Sequence, residues 1–254
     1  MINMCDPKTI RKIDLNCDMG ESFGPYHYGA DKELMPFISS ANIACGFHAG
    51  DPGVMRETVE LAAEYGVRIG AHIGFPDRLG FGRRKLDVNA REVYEYTLYQ
   101  IGALDGFLKS TGLSMSHIKL HGALYMMASE RDDLANATVK AVSAYNSNLE
   151  IYALPGSELA ISGKTANLQI RHEFFADRPY IENKVKMFGW TLEEIGTPTD
   201  IAERTVRLLQ REVVNSDSPV DTICVHSDTP GAPMITKCIS DKLVNAGWLI
   251  KGDE

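Results

Sequence analysis

The sequence has few cysteines, and none of them forms a Cys-x-x-Cys pair. Their number is odd, and the five positions are Cys5, Cys17, Cys45, Cys224 and Cys238. Because a disulfide framework or a structural zinc site relies on paired or closely spaced cysteines, this pattern favours reduced thiols. We therefore expect that no cysteine is needed to hold the fold.

Long hydrophobic runs are absent as well. The segment from Met1 to Lys12 has no apolar stretch of the kind found in signal peptides, and no later segment approaches the length of a membrane span. Basic residues are in the minority, since 26 lysines and arginines face 34 aspartates and glutamates and leave a formal charge of −8. Nucleic acids and anionic membranes are bound through clustered positive charge. We expect a cytoplasmic protein that binds a small molecule, with no nucleic-acid or membrane partner.

Several motifs of nucleotide binding and hydrolysis are also missing. No Gly-x-Gly-x-x-Gly follows the first predicted strand, and His-Glu-x-x-His does not occur. Gly163-Lys164-Thr165 resembles the end of a phosphate-binding loop, but Glu158 stands where that loop needs its first glycine. The sequence gives no positive support for a dinucleotide fold or a phosphate-binding loop.

What the sequence does contain is an alternation of short apolar runs and longer helical patterns. The predicted strands are Ile10–Asn16, Phe37–Cys45, Val67–His72, His117–His121, Glu150–Leu154, Leu168–Phe174 and Thr222–His226, with Trp248–Lys251 as a weaker eighth. The predicted helices are Pro52–Tyr65, Val88–Ser110, Asp132–Tyr145, Ser157–Ala166, Thr199–Val214 and Ala232–Ala246. This alternation predicts parallel strands with helical crossovers in one domain over residues 1–254.

Polar side chains recur at or just beyond the carboxyl ends of the predicted strands. They are Asp14, Asn16, His48, His72, Lys119, His121, Glu173, Asp177, His226 and Asp228. In a closed β/α barrel the strand ends meet at one face, where the active sites of such folds lie. The pattern therefore favours a barrel over an open sheet. Two long stretches without periodicity, Ile73–Asp87 and Arg178–Pro198, are candidate covers for that face.

The stretch Ile38–Asp51 shows how one such strand end is built. A run of small apolar residues passes through Asn42 and His48 and ends at Asp51, which precedes Pro52. Aspartate at the N-cap and proline at the first helical position are typical of a helix start. We expect a buried strand that delivers Asn42 and His48 to the pocket.

The candidate residues allow more than one chemistry. His48 and His72 suit general acid and base roles near neutral pH, and with Asp14 they also form an alternative set of metal ligands. Purely structural roles are the simpler alternative, such as a strand-ending Asx turn at Asp14 or a hydrogen-bonded core histidine. Lys119 is a functional candidate because a buried lysine is costly without a carboxylate partner or an anionic ligand.

Carboxylates and arginines near the strand ends complete the set. Glu173 and Asp177 can divide acid and base roles if their surroundings separate their pKa values, although Asp177 and Arg178 also suit simple pairing with nearby loops. Any one of three arginines could bind a substrate carboxylate through two parallel hydrogen bonds, namely Arg78, Arg83 or Arg84.

Six motifs, taken in order, resemble the LamB/YcsF family. They are Ile13-Asp-Leu-Asn-Cys-Asp-Met-Gly-Glu21, Ser40-Ala-Asn-Ile-Ala-Cys-Gly-Phe-His-Ala-Gly-Asp51, Gly70-Ala-His-Ile-Gly-Phe-Pro-Asp-Arg78 with Phe81-Gly-Arg-Arg84, Lys119-Leu-His-Gly-Ala-Leu-Tyr125, Phe175-Ala-Asp-Arg178 and Cys224-Val-His-Ser-Asp-Thr229. The resemblance covers nearly the whole chain, and the second motif alone is highly specific.

This resemblance implies a distorted seven-stranded β/α barrel, TIM-like and similar to the glycoside hydrolase/deacetylase superfamily. The family contains the A-type subunit of the bacterial ATP-dependent 5-oxoprolinase, so it also implies opening of a lactam ring, 5-oxo-L-proline to L-glutamate. ATP would be bound mainly by the B-type and C-type partner proteins of that 5-oxoprolinase, in agreement with the missing phosphate-binding loop. A divalent metal is the other cofactor that the residues allow.

The chain departs from the usual family pattern in several places. It has Ile73 and Leu120 where the family usually has proline, Met126 where it has asparagine, and Ser227 where it has glycine. The loop Pro179–Thr197 lacks the Gly-x-Leu-x-Pro-Arg segment that normally follows Ala-Asp-Arg. We expect this loop to influence which substrate enters.

The leading hypothesis is a subunit of a lactam-opening amidohydrolase. Its predicted catalytic residues are Asp14, His48, His72, Lys119, His121, Glu173 and Asp177. Its predicted substrate-binding residues are Asn16, Glu21, Asn42, Arg83, Arg178, His226 and Asp228. Two alternatives stay open: a stand-alone metal-dependent, deacetylase-like hydrolase that uses Asp14 and two histidines, and a non-catalytic binding subunit.

Overall fold

Seven parallel strands close into a barrel in the computed structural model, which describes residues 11–182, 184–215 and 220–250. The strands of the chain are β1 (Arg11–Met19), β2 (Ser40–Ala44), β3 (Arg68–Ile73), β4 (His117–Leu120), β5 (Glu150–Ala153), β6 (Gln169–Phe175), β7 (Tyr180–Ile181), β8 (Lys184–Val185), β9 (Thr222–Val225) and β10 (Trp248–Ile250). Around the barrel the order is β1, β2, β3, β4, β5, β6 and β9, and β9 pairs back onto β1. The predicted seven-stranded β/α barrel is confirmed.

The remaining strands lie outside this ring. β10 runs parallel to the first residues of β1, where Arg11 pairs with Trp248, so the weaker eighth strand predicted from the sequence is present. Its predicted last residue, Lys251, and the predicted first residue of β1, Ile10, lie outside the described residues. β7 and β8 form an antiparallel hairpin that the sequence patterns did not predict.

Helices connect the strands and cover the outside of the barrel. Within the described ranges they are α1 (Asp31–Leu34), α2 (Pro52–Tyr65), α3 (Ala90–Ser110), α4 (Gly122–Glu130), α5 (Asp132–Tyr145), α6 (Glu158–Thr165), α7 (Leu192–Ile195), α8 (Pro198–Asn215) and α9 (Ala232–Asn245), with a short 3-10 helix at Met35–Phe37. The six predicted helices correspond to α2, α3, α5, α6, α8 and α9. Among the helices of these ranges, none is both long enough and apolar enough to cross a membrane.

The start of α2 follows the rule that the sequence predicts. The Asp51 side chain accepts hydrogen bonds from the backbone nitrogens of Gly53 and Val54, at 2.8 and 3.0 Å, and Pro52 is the first helical residue. Gly66 ends the helix in the left-handed conformation that glycine adopts without strain. The buried strand and helix start predicted from Ile38–Asp51 are therefore confirmed.

Alternation along β1 separates two environments. From residue 13 onward, its even-numbered residues Asp14, Asn16 and Asp18 bond across the barrel interior. Over the same part of the strand, the odd-numbered residues Ile13, Leu15, Cys17 and Met19 belong to the hydrophobic core shared with the helices. Because side chains of a strand alternate between its two faces, this sequence builds an apolar layer outside the barrel and a polar interior. The interior is thus a hydrogen-bonded network in which each buried polar group needs a partner.

The cysteines take no part in cross-links. Within the described residues Cys17, Cys45 and Cys224 are buried free thiols, and Cys238 is a partly exposed one. Cys5 lies outside these residues. The described barrel is therefore held by packing and hydrogen bonds.

Candidate active site

The carboxyl ends of the barrel strands meet at one pocket. Its polar and aromatic lining consists of Asp18, His72, Arg83, Lys119, His121, Tyr125, Phe175, Phe188 and His226. Most of these side chains come from the ends of β1, β3, β4, β6 and β9, and Tyr125 comes from α4. Five residues predicted from the sequence reach this pocket, namely His72, Arg83, Lys119, His121 and His226.

Lys119 lies at the centre of the polar interior. Its Nζ atom is 2.9 Å from Asp18 Oδ1, 3.1 Å from Glu173 Oε1 and 2.9 Å from the sulfur of Cys224. The side chain is 2% exposed, so the ammonium group is held by protein atoms rather than by bulk water. The carboxylate partners that a buried lysine requires are therefore in place.

Lys119 and Asp18 each stabilise the charged form of the other. Burial alone would lower the pKa of Lys119, but the carboxylate of Asp18 outweighs it and the pKa is raised well above the usual range. Burial pushes the pKa of Asp18 upward, yet His72 and Lys119 lower it well below its usual range. Both residues are consequently charged at neutral pH.

Glu173 lies in the same interior network. Its Oε1 accepts a hydrogen bond from Asn16 Nδ2 at 3.1 Å, and its Oε2 accepts one from the Tyr125 hydroxyl at 3.0 Å. With Lys119 as a third partner, both carboxylate oxygens are occupied. Glu173 therefore holds the lysine and the tyrosine in position from below the pocket.

Three histidines and one glutamate form a second cluster at the edge of the pocket. His121 Nδ1 is 3.0 Å from His72 Nε2, and the His48 ring stacks on the His121 ring with centroids 3.8 Å apart. Glu21 Oε1 is 3.5 Å from His48 Nε2 and 3.9 Å from the nearest nitrogens of His72 and His121. The structure thus brings together three predicted catalytic residues, His48, His72 and His121, and one predicted substrate-binding residue, Glu21, and their chemical roles stay predictions.

Burial controls the protonation of this histidine cluster. It lowers the pKa of His48 and of His121 well below the usual value, and neighbouring positive charge lowers both further. It raises the pKa of Glu21 well above the usual value, with the carboxylates of Asp18 and Asp228 adding to the effect. His48 and His121 are therefore neutral imidazoles at neutral pH.

His226 and Asp177 form an oriented pair on the other side of the pocket. His226 Nδ1 is 3.0 Å from Asp177 Oδ1, and Asp177 Oδ2 accepts from the backbone nitrogen of His226, from Thr229 and from Arg178. Because a carboxylate only accepts, His226 donates its Nδ1 proton to Asp177, and its Nε2 lies 4.0 Å from Asp18 Oδ2. Burial raises the pKa of Asp177, but His226 and Arg178 outweigh it and hold the pKa far below the usual value.

Of the three candidate arginine clamps, only Arg83 lines the pocket. It pairs with Asp228 at 2.5 Å and its side chain is 33% exposed. Arg78 instead donates to the backbone oxygens of Gly46 and Gly50, and Arg84 pairs with Asp77 at the surface. Arg178 is buried between Asp177 and Asp228, with its guanidinium 3.7 Å from the Asp228 carboxylate.

Both long loops reach the pocket. Arg83 comes from the first loop, Ile73–Asp87, while Met187 and Phe188 come from the second, which includes Pro179–Thr197. Met187 is almost fully buried and Phe188 is 39% exposed. The loop that departs from the family pattern therefore contributes apolar side chains to the pocket wall.

Asp14 lies deeper in the barrel than the other predicted catalytic residues. It precedes Asp18 by four residues along β1, which corresponds to about 13 Å of strand. It accepts hydrogen bonds from four hydroxyls, at distances between 2.5 and 3.0 Å, on Ser39, Ser40, Tyr152 and Thr222. The structure does not bring Asp14 to the pocket, and Asn16 and Asn42 likewise bond within the interior, at 2.8 Å from each other.

These contacts predict a structural effect for Asp14→Ala. The change removes the acceptor shared by four buried hydroxyls, of which Ser39 and Tyr152 keep a second acceptor, so we expect the free energy of unfolding to fall by about 3–5 kcal/mol. Urea denaturation measures it, and Asp241→Ala on the exposed face of α9 is the control. A stability equal to that of the control would contradict this account of Asp14.

Several pocket residues were missed by sequence reasoning. Asp18 continues the two-residue period of Asp14 and Asn16, but the predicted strand ended at Asn16, whereas β1 extends to Met19. Tyr125 was missed because α4 was not predicted. In the sequence Ser227 stands out only as a departure from the family, and its hydroxyl donates to Glu21 Oε2 at 3.1 Å.

Comparison with known proteins places this geometry in context. Residues 13–252 match the LamB/YcsF family. A curated relative from Bacillus licheniformis, named as the A-type subunit of 5-oxoprolinase, is 46% identical over 243 residues, which are 92% of this chain and 95% of that protein. The solved structure of a lactam utilization protein from Thermus thermophilus has a TM-score of 0.87 at 39% identity, over 95% of this chain and 100% of that chain. A family 4 carbohydrate esterase from Streptomyces lividans has a TM-score of 0.53 at 12% identity, over 96% of this chain and 92% of that chain, and is similar in fold alone.

Proposed function

Because the chain belongs to the LamB/YcsF family, we propose that it is the lactam-opening subunit of an ATP-dependent 5-oxoprolinase-type amidohydrolase. The observation that carries the proposal is the match, along nearly the whole chain, to relatives named as the A-type subunit of 5-oxoprolinase. The reaction is the conversion of 5-oxo-L-proline to L-glutamate. ATP is bound mainly by partner proteins of the B and C types, in keeping with the missing phosphate-binding loop in this chain.

The difficulty of the reaction lies in the amide. The carbonyl carbon of a lactam is a poor electrophile, and phosphorylation of its oxygen by ATP provides an activated ring carbon. Water then adds to that carbon and gives up a proton, the nitrogen takes a proton and the carbon–nitrogen bond breaks, which leaves an amine and an acyl phosphate. A second water hydrolyses the acyl phosphate to the carboxylate of glutamate and inorganic phosphate. The pocket of this chain therefore has to supply a base, an acid and a positive charge.

His226 is the proposed base and acid. Its Nδ1 proton is held by Asp177 at 3.0 Å, which leaves Nε2 as the basic atom on the pocket wall. Nε2 takes the proton of the attacking water and returns it to the ring nitrogen. This use of one imidazole in both steps requires a fixed ring, and the four hydrogen bonds accepted by the Asp177 carboxylate fix it.

Lys119 and Arg83 are the proposed positive charges. The Lys119 ammonium lies at the base of the pocket, where it stabilises negative charge that develops on oxygen at the ring carbon. Arg83 lies at the exposed side, and its guanidinium has further donors beyond the one that contacts Asp228, so it suits the carboxylate of 5-oxoproline.

The test of the proposed function is reconstitution. The purified chain is mixed with the B-type and C-type partner proteins of the same organism, ATP and 5-oxo-L-proline, and glutamate is measured. We expect ATP-dependent glutamate formation that needs all proteins. Hydrolysis of an N-acetylated substrate by this chain alone would favour the deacetylase-like alternative, and full activity of an assembly that contains His121→Ala would favour the non-catalytic one.

Phe188, which the second long loop contributes to the pocket wall, is predicted to affect substrate binding. Phe188→Ala removes an aromatic wall of the pocket, so we expect the KM for 5-oxoproline to rise by about 10-fold with a smaller change in kcat. Steady-state kinetics of the assembled enzyme measures both values. Leu79→Ala, at a side chain that is 97% exposed on the other loop, is the control. An unchanged KM would show that Phe188 does not contact the substrate.

A further inference from the structure

The histidine cluster contains buried polar atoms without partners. In the described part of the chain, Glu21 Oε1 and both ring nitrogens of His48 have no hydrogen-bond partner. The two side chains are 3% and 0% exposed. Leaving three such atoms unpaired in one place is costly, since buried polar groups are nearly always satisfied.

His72 and His121 add a second conflict to the same place. His121 Nε2 lies 2.7 Å from the backbone oxygen of Phe81, and His72 Nδ1 lies 3.3 Å from that of Lys119. A carbonyl oxygen only accepts, so these nitrogens carry the ring protons. The remaining nitrogens, His72 Nε2 and His121 Nδ1, lie 3.0 Å apart, so either one proton or a cation has to lie between them.

We propose that Glu21, His48, His72 and His121 bind one divalent transition-metal ion of the zinc class. Their ligand atoms all lie within 4.8 Å of one another. A tetrahedral zinc ion with bonds of about 2.0–2.1 Å has ligand atoms about 3.3 Å apart. His72 Nε2 and His121 Nδ1 are 3.0 Å apart, and Glu21 Oε1 is 3.5 Å from His48 Nε2 and 3.9 Å from the nearest nitrogens of His72 and His121. The His48 ring stacks on the His121 ring, so it has to turn for both imidazoles to point at one ion. A shared proton between His72 and His121 would leave Glu21 and His48 unpaired, whereas a metal ion pairs with one atom of each of the four residues.

The surroundings have the features of a metal site. Metal-bound histidines usually donate their other ring nitrogen to a backbone oxygen or a carboxylate, as His72 and His121 do. Phe81, whose oxygen contacts His121, has a φ of 51°, which lies in the left-handed region that non-glycine residues rarely adopt. A Cβ at Gly82 would lie 2.8 Å from both His48 and His121.

The ligand types select the class of metal. Three imidazoles and one carboxylate suit zinc, cobalt(II), nickel or iron(II), whereas magnesium and calcium prefer oxygen ligands. A second group, formed by Asp18, Cys224 and His226, also has suitable atoms. There the Lys119 ammonium contacts both Asp18 and Cys224 at 2.9 Å, and its charge opposes a metal ion. The histidine cluster is therefore the favoured position.

The test is metal binding by the untagged full chain, with no assay of activity. The protein is stripped with a chelator, dialysed against zinc(II), and its zinc content is measured. Cobalt(II) titration then reports tetrahedral nitrogen and oxygen ligation through visible absorption. We expect about one ion per chain and a rise in the thermal midpoint with zinc concentration, since a ligand that binds only the folded state stabilises it.

Variants locate the site. His48→Ala and Glu21→Gln are expected to lower zinc affinity by at least about 100-fold, while His27→Ala, at an exposed histidine, leaves it unchanged. Near-UV circular dichroism confirms that each variant is folded, and His48→Asn replaces any variant that is not. Binding of less than a stoichiometric ion by the wild type, or wild-type affinity in the folded His48 and Glu21 variants, would overturn the proposal.

This inference is independent of the proposed function. Zinc binding without glutamate formation would retain the metal site and reject the lactam reaction. Glutamate formation by a chain that binds no metal would do the reverse.

Discussion

Lys119→Met is expected to lower the turnover of the reconstituted enzyme by about 10³-fold or more, because it removes the positive charge at the base of the pocket. Because methionine keeps nearly the length of the lysine side chain, the expected loss of turnover is due to the missing charge and not to a cavity. The same change leaves the Asp18 and Glu173 carboxylates buried without their shared cation. We therefore also expect the free energy of unfolding to fall by about 3–5 kcal/mol.

A double variant separates these two effects. Asp18→Asn together with Lys119→Met restores the net charge of the cluster, because one negative and one positive charge are removed together. We expect it to regain much of the lost stability and none of the lost turnover. Lys237→Met, at an exposed lysine of α9, is the matched control and should behave like the wild type. Turnover within about 10-fold of the wild type in the folded single variant would reject the role of Lys119.

Asp177→Asn is the second change with a large expected effect. The amide no longer fixes the Nδ1 proton of His226, so the base on the pocket wall is lost from most molecules. Asp→Asn behind a catalytic histidine of a serine protease costs about 10⁴ in kcat, and we expect a loss of about 10²–10⁴ here. Steady-state kinetics should show this loss in kcat, with KM changed much less. Asp241→Asn is the control, and equal kcat values for the two variants would contradict the role of His226.

The same variant has a pH signature in stability. His226 and Arg178 hold the folded-state pKa of Asp177 far below the value of about 3.9 found in an unfolded chain. A lowered folded-state pKa stabilises the protein above the unfolded-state pKa, and that contribution is lost as the pH falls toward the folded-state value. The stability difference between wild type and Asp177→Asn should be full at pH 7 and shrink below about pH 4. A difference that stays constant down to about pH 3 would place the effect elsewhere.

Much of the fold follows from local patterns. The two-residue period of β1 and the cap at Asp51 are short-range signals that the sequence carries directly. The strand ends that bear His72, Lys119 and His226 were located in the same way. The helix α4 was missed because it begins directly after β4, with no separate start signal at His121, whose side chain makes no capping hydrogen bond.

The roles of individual carboxylates required the closed barrel. Asp14 and Asp18 occupy equivalent positions in the alternation of β1, so no pattern along the strand distinguishes them. The neighbours on the facing strands do: Asp14 lies level with hydroxyls of β2, β5 and β9, while Asp18 lies level with Lys119 and His72.

The β/α barrel, the face that carries the pocket and the residue types that reach it could be predicted from local patterns, because these depend on periodicity and on the direction of parallel strands. Which side chains meet could be seen only in the folded chain. The shift in register between neighbouring strands sets the height of each residue along the barrel axis. That shift arises when the sheet closes into a barrel, so no single strand determines it. For this reason the pairing of Lys119 with Asp18, and the meeting of Glu21 with three histidines from separate segments, appear only once the ring is closed.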